Sequence, residues 1–179
     1  MNSIADPVAR ASDRESHLRD DHHDALRLWL RLLTCTTLIE GRIRARLRER
    51  FATTLPRFDL MAQLERNPDG LRMGELSRRL MVTGGNVTGI TSALVAEGLV
   101  ERRTISGDRR AHSVRLTPAG KRAFGAMATE HERWVAEMVG GLAIADRERL
   151  HALLGKLKTT IAGRDAAAAE QRVAKEGRR

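Results

Sequence analysis

The segment from Ala25 to Phe51 places the strongest constraint on how this chain can fold. It contains no proline and one glycine, and its apolar residues recur at the spacing of a helix. Between Leu26 and Ile39 the apolar side chains occupy almost every side of that helix. A helix that is hydrophobic all round is buried all round. In a chain of 179 residues, this predicts that a second protein chain covers one of its faces.

Composition favours a polyanionic partner over a neutral small substrate. The chain carries 32 lysines and arginines against 23 acids, a formal net charge of +9, which is typical of proteins that bind nucleic acid. Its single cysteine, Cys35, excludes an internal disulfide framework and fits a reducing compartment. We find no apolar run of about 18 residues and no hydrophobic signal core near the N-terminus. We therefore expect a cytoplasmic protein with no membrane partner.

The middle of the chain shows a helix-turn-helix pattern. A short helix is predicted from Leu71 to Leu80, followed by a break at residues 82–84. A second helix starts after Thr83, a natural N-cap, and stops at Gly98. Its buried face repeats at helical spacing, at Val87, Ile90 and Leu94.

The opposite face of this second helix is small, neutral and able to form hydrogen bonds. Gly85 and Gly89 allow close docking, and Asn86, Thr88 and Ser92 are candidate readers of base edges. Solvated helix faces normally carry charge, whereas this face suits the floor of a DNA major groove. A helix with a weakly selected surface is the alternative.

A basic β-hairpin is predicted after the second helix. Residues 99–105 and 112–116 form its strands, and residues 106–110 form a turn-forming basic tip. Residues 71–117 hold eight arginines against four acids, so positive charge is concentrated around the helix-turn-helix. Candidates for phosphate contacts, with plain surface charge as the alternative, are Arg78, Arg79, Arg102 and Arg103.

Two further helices complete the predicted fold, which is mainly α with a small β-hairpin wing. The first begins at Thr117-Pro118, and the last begins near Asp146 and turns leucines inward from Leu150 to Ile161. We predict a winged helix-turn-helix DNA-binding domain at residues 56–117 and a helical dimerisation region at 21–55 and 118–163. Residues 1–20 are expected to be disordered, and residues 164–179 to form a charged C-terminal tail or a fraying helix.

This order of elements, together with the wing sequence, resembles the MarR family of winged-helix transcription regulators. The stretch from Asp108 to Gly120 matches that family's Asp-x-Arg…Leu-Thr-x-x-Gly signature. The resemblance implies that Asp108 orients Arg110 for insertion into the minor groove, while Arg109 contacts the backbone. A narrow minor groove concentrates negative potential and attracts arginine, which agrees with these roles. A turn residue and a surface charge are the alternative reading of Asp108 and Arg110.

The resemblance also implies a homodimer that binds a pseudopalindromic site on double-stranded DNA and acts as a repressor. It implies release by a small aromatic or anionic effector that enters a crevice beside the winged lobe. We take an aromatic acid or its coenzyme A thioester as the candidate effector. Candidate lining residues, with ordinary core packing as the alternative, are Trp29, Leu33, Arg42, Arg44, Phe58 and Met61.

Two other regulatory or binding functions remain open. A thiol-based redox sensor would use Cys35, but sensors of this family surround the thiol with tyrosines, and this chain has none. Cys35 also falls in the apolar half of the first helix, where we expect a buried and inert thiol. A winged helix that binds only proteins is the second alternative, and it would not need the basic wing.

Enzymatic, cofactor and metal sites find no support in the sequence. Residues 83–86 are rich in glycine but lack the Gly-Lys-Ser/Thr of a phosphate-binding loop, and they follow no strand. The acidic and histidine run from Asp20 to Asp24 consists of adjacent residues, which point about 100° apart on a helix and cannot converge on one ion. We therefore expect no catalytic residues, no cofactor and no metal.

Overall fold

The computed structural model describes the backbone of residues 23–80, 83–105 and 108–176, and the side chains of residues 23–80, 83–103 and 113–163. The predicted disordered segment 1–20 lies outside the described residues, as do residues 81–82 and 106–107. None of the helices in the described part is long and apolar enough to cross a membrane.

Six helices and three strands make up the described part of the chain. In order they are α1 (Asp24–Phe51), α2 (Leu55–Glu65), β1 (Leu71–Arg72), α3 (Met73–Leu80), α4 (Gly84–Ala96), β2 (Val100–Ile105), β3 (Asp108–Leu116), α5 (Pro118–Val139) and α6 (Ile144–Glu176). The predicted helix-turn-helix corresponds to α3 and α4, and the predicted wing corresponds to β2 and β3. The mainly helical fold class with a small hairpin is thus confirmed.

The three strands form one antiparallel sheet in the order β1-β3-β2. Val100 lies opposite Leu116 at the base of the hairpin, and Arg102 lies opposite Val114. Two details differ from the sequence prediction. Residues 71–72 form strand β1 rather than the start of a helix, because they pair with residues 113–114 far along the chain. β3 also begins at Asp108, so residues 108–110 belong to the strand and not to a turn.

The described residues from 23 to Val135 form one compact unit, and their buried apolar side chains form its core. Apolar side chains from α2, α4 and the inner face of the sheet meet there with the C-terminal half of α1. This burial supplies most of the driving force for folding of the unit. The fully enclosed residues include Leu47, Leu60, Met61, Leu64, Leu76, Val87, Leu94, Val100, Val114 and Trp134.

Aromatic rings join α2 to α5 within the same unit. The ring centroid of Phe58 lies 5.4 Å from that of Phe124 and 4.9 Å from that of His131. Burial lowers the pKa of His131 below its ordinary value, because the charged imidazolium loses hydration there. His131 therefore packs as a neutral ring at neutral pH.

The described residues from Ala136 onward form a second compact unit, which contains the whole of α6. The leucines predicted to face inward are exposed on this helix, from Leu150 to Ile161. An apolar depression of 370 Å³ on its surface is lined by residues that include Leu154 and Leu157. The helix continues to Glu176, through most of the region predicted as a tail or a fraying helix.

The carbonyl of Leu99 organises the junction between α4, the hairpin and α5. It accepts a hydrogen bond from the Thr117 N–H at 3.1 Å, and the Thr117 hydroxyl donates to the Gly98 carbonyl at 2.7 Å. The Thr117 hydroxyl also accepts from the Gly120 N–H at 3.0 Å, which confirms the predicted N-cap of α5. A Cβ on Gly120 would lie 1.9 Å from the Leu99 oxygen, so only glycine fits this approach.

We predict that Gly120→Ala destabilises the protein because the added methyl group displaces the backbone at Leu99. Overpacking of this kind typically costs about 1–3 kcal/mol. The control is Gly125→Ala in the same helix, where an added Cβ meets nothing within 4 Å; it should stabilise the helix by about 0.5–1 kcal/mol. Urea denaturation of both variants measures the difference, and equal effects of the two substitutions would contradict the assigned role of Gly120.

Candidate nucleic-acid interface

The outer face of α4 matches the surface predicted from the sequence. Val87, Thr91 and Leu94 are buried, while the opposite face is exposed. An added Cβ on Gly85 or Gly89 would meet nothing within 4 Å. Packing within this chain therefore does not require glycine at either position, and both leave room for a surface that approaches α4 from outside.

Hydrogen bonds hold α4 at both of its ends. At the start, Thr83 is at the predicted N-cap, and its carbonyl accepts from the Val87 N–H at 3.2 Å, although its side chain caps no helix N–H. At the end, Gly98 has the positive φ of 69° predicted by its place after the helix. The Leu99 N–H then donates back to the Leu94 carbonyl at 3.0 Å.

An ion pair between Arg57 and Glu97 ties the C-terminal end of α4 to α2. The Arg57 side chain is largely buried, and its Nε has no hydrogen-bond partner among the described residues. A charge-assisted contact of this kind is stronger than a neutral one. The orientation of α4 is thus fixed by a charged contact as well as by its apolar face.

The three candidate base readers on α4 have different surroundings. The Thr88 hydroxyl donates to the Gly84 carbonyl at 2.9 Å, within the helix. The Ser92 hydroxyl accepts a hydrogen bond from the guanidinium of Arg102, on β2, at 2.9 Å. Asn86 lines a cleft between α1 and α4. The contact between Ser92 and Arg102 is not visible in the sequence, because it joins a helix to a strand.

Glu101 organises a second group of arginines on the hairpin. Its carboxylate accepts from Arg103 Nε at 3.1 Å and from Arg115 Nε on the opposing strand. The hydrogen bond from Arg115 lowers the pKa of the Glu101 carboxyl below its ordinary value. Arg103 and Arg115 therefore have an acidic partner, which reduces their availability to phosphate.

The wing signature residues Asp108, Arg109 and Arg110 have a described backbone in β3, with Asp108 opposite Ile105. A register shift between Thr104 and Ile105 precedes this pair. The side chains of all three residues lie outside the described part of the structure. Their predicted roles in the minor groove accordingly stay predictions.

The arginines at the end of α3 are exposed, as expected for phosphate contacts. Arg78 and Arg79 line a shallow depression of 310 Å³ together with Glu75. Glu75 also accepts from the Arg72 N–H at 3.2 Å, which caps the start of α3 in the manner of a capping box.

A cleft of 310 Å³ separates the C-terminal part of α1 from α4. Two arginines one helical turn apart, Arg44 and Arg48, contribute its positive charge. The loop before α2 contributes hydroxyl groups, and α4 contributes an amide. Its lining residues are Arg44, Arg48, Thr53, Thr54, Leu55, Pro56, Asn86 and Ile90.

Acidic groups on α1 and α2 modulate the charge beside this cleft. Arg44 forms an ion pair with Glu40 at 3.0 Å. Burial raises the pKa of Asp59 above its ordinary value; Arg44 opposes that shift and Glu40 adds to it. Arg48 forms no ion pair among the described residues, so its charge is the one most available to an anion in the cleft.

Of the predicted effector-lining residues, the structure brings only Arg44 to this cleft. Phe58 and Met61 are 6% and 1% exposed, so both pack in the core of the single chain, as in the alternative reading; their place in an effector crevice stays a prediction. Trp29 and Leu33 are exposed on α1. Trp29 precedes Arg44 by about 22 Å of helix at 1.5 Å per residue.

Arg42 is exposed on α1 but does not line the cleft. Sequence reasoning missed Arg48, Thr53 and Thr54. The spacing of Arg44 and Arg48 by four residues, which places both on one helix face, was the available signal.

Cys35 is exposed in the single chain. This corrects the expectation of a buried thiol for the isolated protomer, because the apolar half of α1 has little protein over it. Trp29 and Leu28, on the same half of the helix, are each 56% exposed.

Comparison with known proteins agrees with this geometry. The profile of the MarR family matches residues 53–111. A MarR family transcriptional regulator from Silicibacter pomeroyi is 36% identical, with a TM-score of 0.65, over 80% of this chain and 99% of that chain. Sco3205 of Streptomyces coelicolor, solved in complex with DNA, is 21% identical, with a TM-score of 0.67, over 79% of this chain and 89% of that chain.

Two curated proteins of similar sequence are also named as transcription regulators. The transcriptional activatory protein BadR of Rhodopseudomonas palustris is 29% identical over 82% of this chain and 85% of its own length. The regulator PecS of Dickeya dadantii is 26% identical over 56% of this chain and 62% of its own length, so the match covers less than two thirds of PecS. On the fold and on these similarities, the chain belongs to the MarR family of winged helix-turn-helix transcriptional regulators.

Proposed function

We propose that this regulator binds a pseudopalindromic DNA site as a homodimer, acts as a repressor, and releases the DNA when a small anionic effector occupies the cleft beside α4. The observation that carries DNA binding is the exposed, uncharged face of α4 beside a basic hairpin. The complex of Sco3205 with DNA supports a nucleic-acid role for this fold. We propose repression, although BadR is named an activatory protein.

In this proposal α4 enters the major groove and the wing lies over the adjacent minor groove. Asn86 and Thr88 face base edges, while Gly85 and Gly89 permit close docking. Thr83, Arg78, Arg79 and Arg109 contact the sugar–phosphate backbone. Arg110, oriented by Asp108, enters the minor groove, where a narrow width strengthens the attraction to arginine.

The DNA site is first identified by selection from random duplex DNA. We expect Arg110→Ala to weaken binding to that site by about 5- to 150-fold, the equivalent of about 1–3 kcal/mol. The wild-type protein should lose affinity steeply between about 50 and 200 mM salt. Arg149→Ala, which removes one exposed positive charge from α6, is the matched control and should bind like the wild type. Fluorescence anisotropy measures all three proteins. Affinity independent of salt would favour a protein-interaction module instead.

The homodimer accounts for the apolar side chains that α1 and α6 leave exposed. Large exposed apolar patches on one chain mark surfaces that bind another protein, and two-fold symmetry matches a pseudopalindromic site. The residues concerned are Leu26, Leu28, Trp29 and Leu33 on α1 and Ile144, Leu150, Leu153, Leu154, Leu157 and Ile161 on α6.

We predict a sedimenting species of twice the 19.9 kDa chain mass at micromolar concentration. Leu28→Glu should shift it toward the monomer, because a carboxylate replaces an exposed apolar group at the proposed interface. Arg27→Glu, at the neighbouring exposed position, introduces the same carboxylate and changes the net charge by two instead of one, but it removes no apolar side chain and should shift the species less. A wild-type species of 19.9 kDa would contradict the dimer.

Regulation follows from the position of Asn86, which belongs both to the cleft and to the outer face of α4. An anion held by Arg44 and Arg48 can accept from the Asn86 amide and thereby compete with DNA for it. A coupling of about 1–3 kcal/mol changes DNA affinity 5- to 150-fold. An aromatic carboxylate or the phosphates of its coenzyme A thioester have the required charge.

The test uses benzoate and benzoyl coenzyme A as probes. One of them should lower the DNA affinity of the wild type at least about fivefold, and Arg48→Gln should abolish this response. Arg42→Gln, on the same helix but outside the cleft, is the control and should respond like the wild type. An equal response of Arg48→Gln and Arg42→Gln would show that the effector does not bind in this cleft. If neither probe changes the DNA affinity of the wild type, this class of ligand is excluded.

A further inference from the structure

Arg102 occupies an unusual place for a charged residue on the hairpin. Side chains alternate between the two faces of a strand, so Arg102 shares a face of β2 with Val100, which is 2% exposed. Its partner across the sheet is Val114, which is fully buried. Arg102 therefore starts from the core-facing side of the sheet, and its side chain runs outward until the guanidinium reaches solvent.

The guanidinium ends on the outer face of α4. Its Nη2 donates to the Ser92 hydroxyl at 2.9 Å, and both side chains are exposed. Ser92 lies between the buried Thr91 and the exposed Ala93 of the same helix, on the side that faces away from the core. The positive charge of Arg102, a residue of β2, thus lies at the surface of α4.

Arg102 also differs from the other arginines of the hairpin in its electrostatic partner. Arg103 and Arg115 both bind the Glu101 carboxylate on the other face of the sheet. The described contacts of Arg102 include a neutral hydroxyl and no acid. Its positive charge is not neutralised by these contacts, and the single bond to Ser92 leaves the other N–H groups of the guanidinium available.

We propose that Arg102 is a base-reading residue for a guanine in the major groove and that Ser92 is the positioning residue that holds it there. The inference rests on the proposed DNA-binding function, and it reassigns the base-edge contact expected of Ser92. Guanine presents two acceptors, O6 and N7, in the major groove, and arginine matches both with a pair of N–H donors. A phosphate contact would need no anchor on α4, because phosphates lie along the edges of the groove.

The decisive comparison is between Arg102→Lys and Arg102→Ala in the full-length protein. Selection from random duplex DNA identifies the wild-type site, and anisotropy then measures each base substitution. In the wild type, replacing one G·C pair in each half-site should lower the DNA affinity by about 5- to 150-fold. Arg102→Ala should lose this discrimination. Arg102→Lys should retain less of it than the wild type, because the lysine ammonium keeps the charge but lacks the rigid pair of N–H donors. Its salt dependence should stay close to that of the wild type.

Ser92 is tested by a conservative pair of variants. Ser92→Ala should reduce the preference for that G·C pair without changing the salt dependence, whereas Ser92→Thr retains a hydroxyl and should preserve the preference. In the Arg102→Ala background, Ser92→Ala should have no further effect at that position. A merely structural role of Ser92 would instead weaken binding to all sequences alike in both backgrounds.

The outcomes separate this inference from the function on which it rests. If the wild type enriches a site and neither Arg102→Lys nor Arg102→Ala changes any base preference, Arg102 is not a base reader and the inference is overturned. The same conclusion follows if Arg102→Ala weakens binding to all sequences equally and reduces the slope of log affinity against log salt concentration by about one, as the loss of a phosphate contact would. If the wild type enriches no sequence and binds without salt dependence, the proposed DNA-binding function itself fails.

Discussion

The close approach of Gly120 to the Leu99 carbonyl sets the geometry on which the rest of the winged lobe depends. Four elements meet there: the end of α4, the start of β2, the end of β3 and the start of α5. Because the Leu99 oxygen accepts from Thr117 at the same point, the hairpin is closed at its base. The base of the wing is therefore held at a fixed place relative to the end of α4.

Charge on this lobe is arranged by pairing as well as by composition. Glu101 binds two arginines on one face of the hairpin, whereas Arg102 on the other face binds a neutral hydroxyl. The same contrast occurs beside the cleft, where Arg44 has an acidic partner in Glu40 and Arg48 forms no ion pair among the described residues. A count of basic residues overstates how many are available to an anion, and the pairing pattern identifies which ones are.

The sequence was sufficient for the features that depend on local interactions. The apolar spacing and end signals of α4 predicted its extent, and Thr117 and Pro118 predicted the start of α5. The family was also predictable, because the wing signature has a fixed order and spacing.

Features that depend on distant contacts were not predictable from the sequence. Strand β1 is two residues long and forms only because residues 113–114 lie opposite it. The bond between Ser92 and Arg102 depends on how a strand side chain crosses to a helix. Phe58 and Met61 were assigned to a crevice because apolar residues line crevices and cores alike. The homodimer stays a prediction, since the exposed apolar faces of α1 and α6 are what a single chain would show.

Substitution of Gly85 or Gly89 has a consequence that substitution of Gly120 does not share. Open space surrounds both positions of α4, so a mutation there meets no resistance from the fold. Helix propensity would even favour a larger residue at either position. A substitution at Gly85 or Gly89 would therefore leave the scaffold intact while adding a side chain to the surface that we propose faces DNA, so that fold and recognition can be varied separately at these two positions.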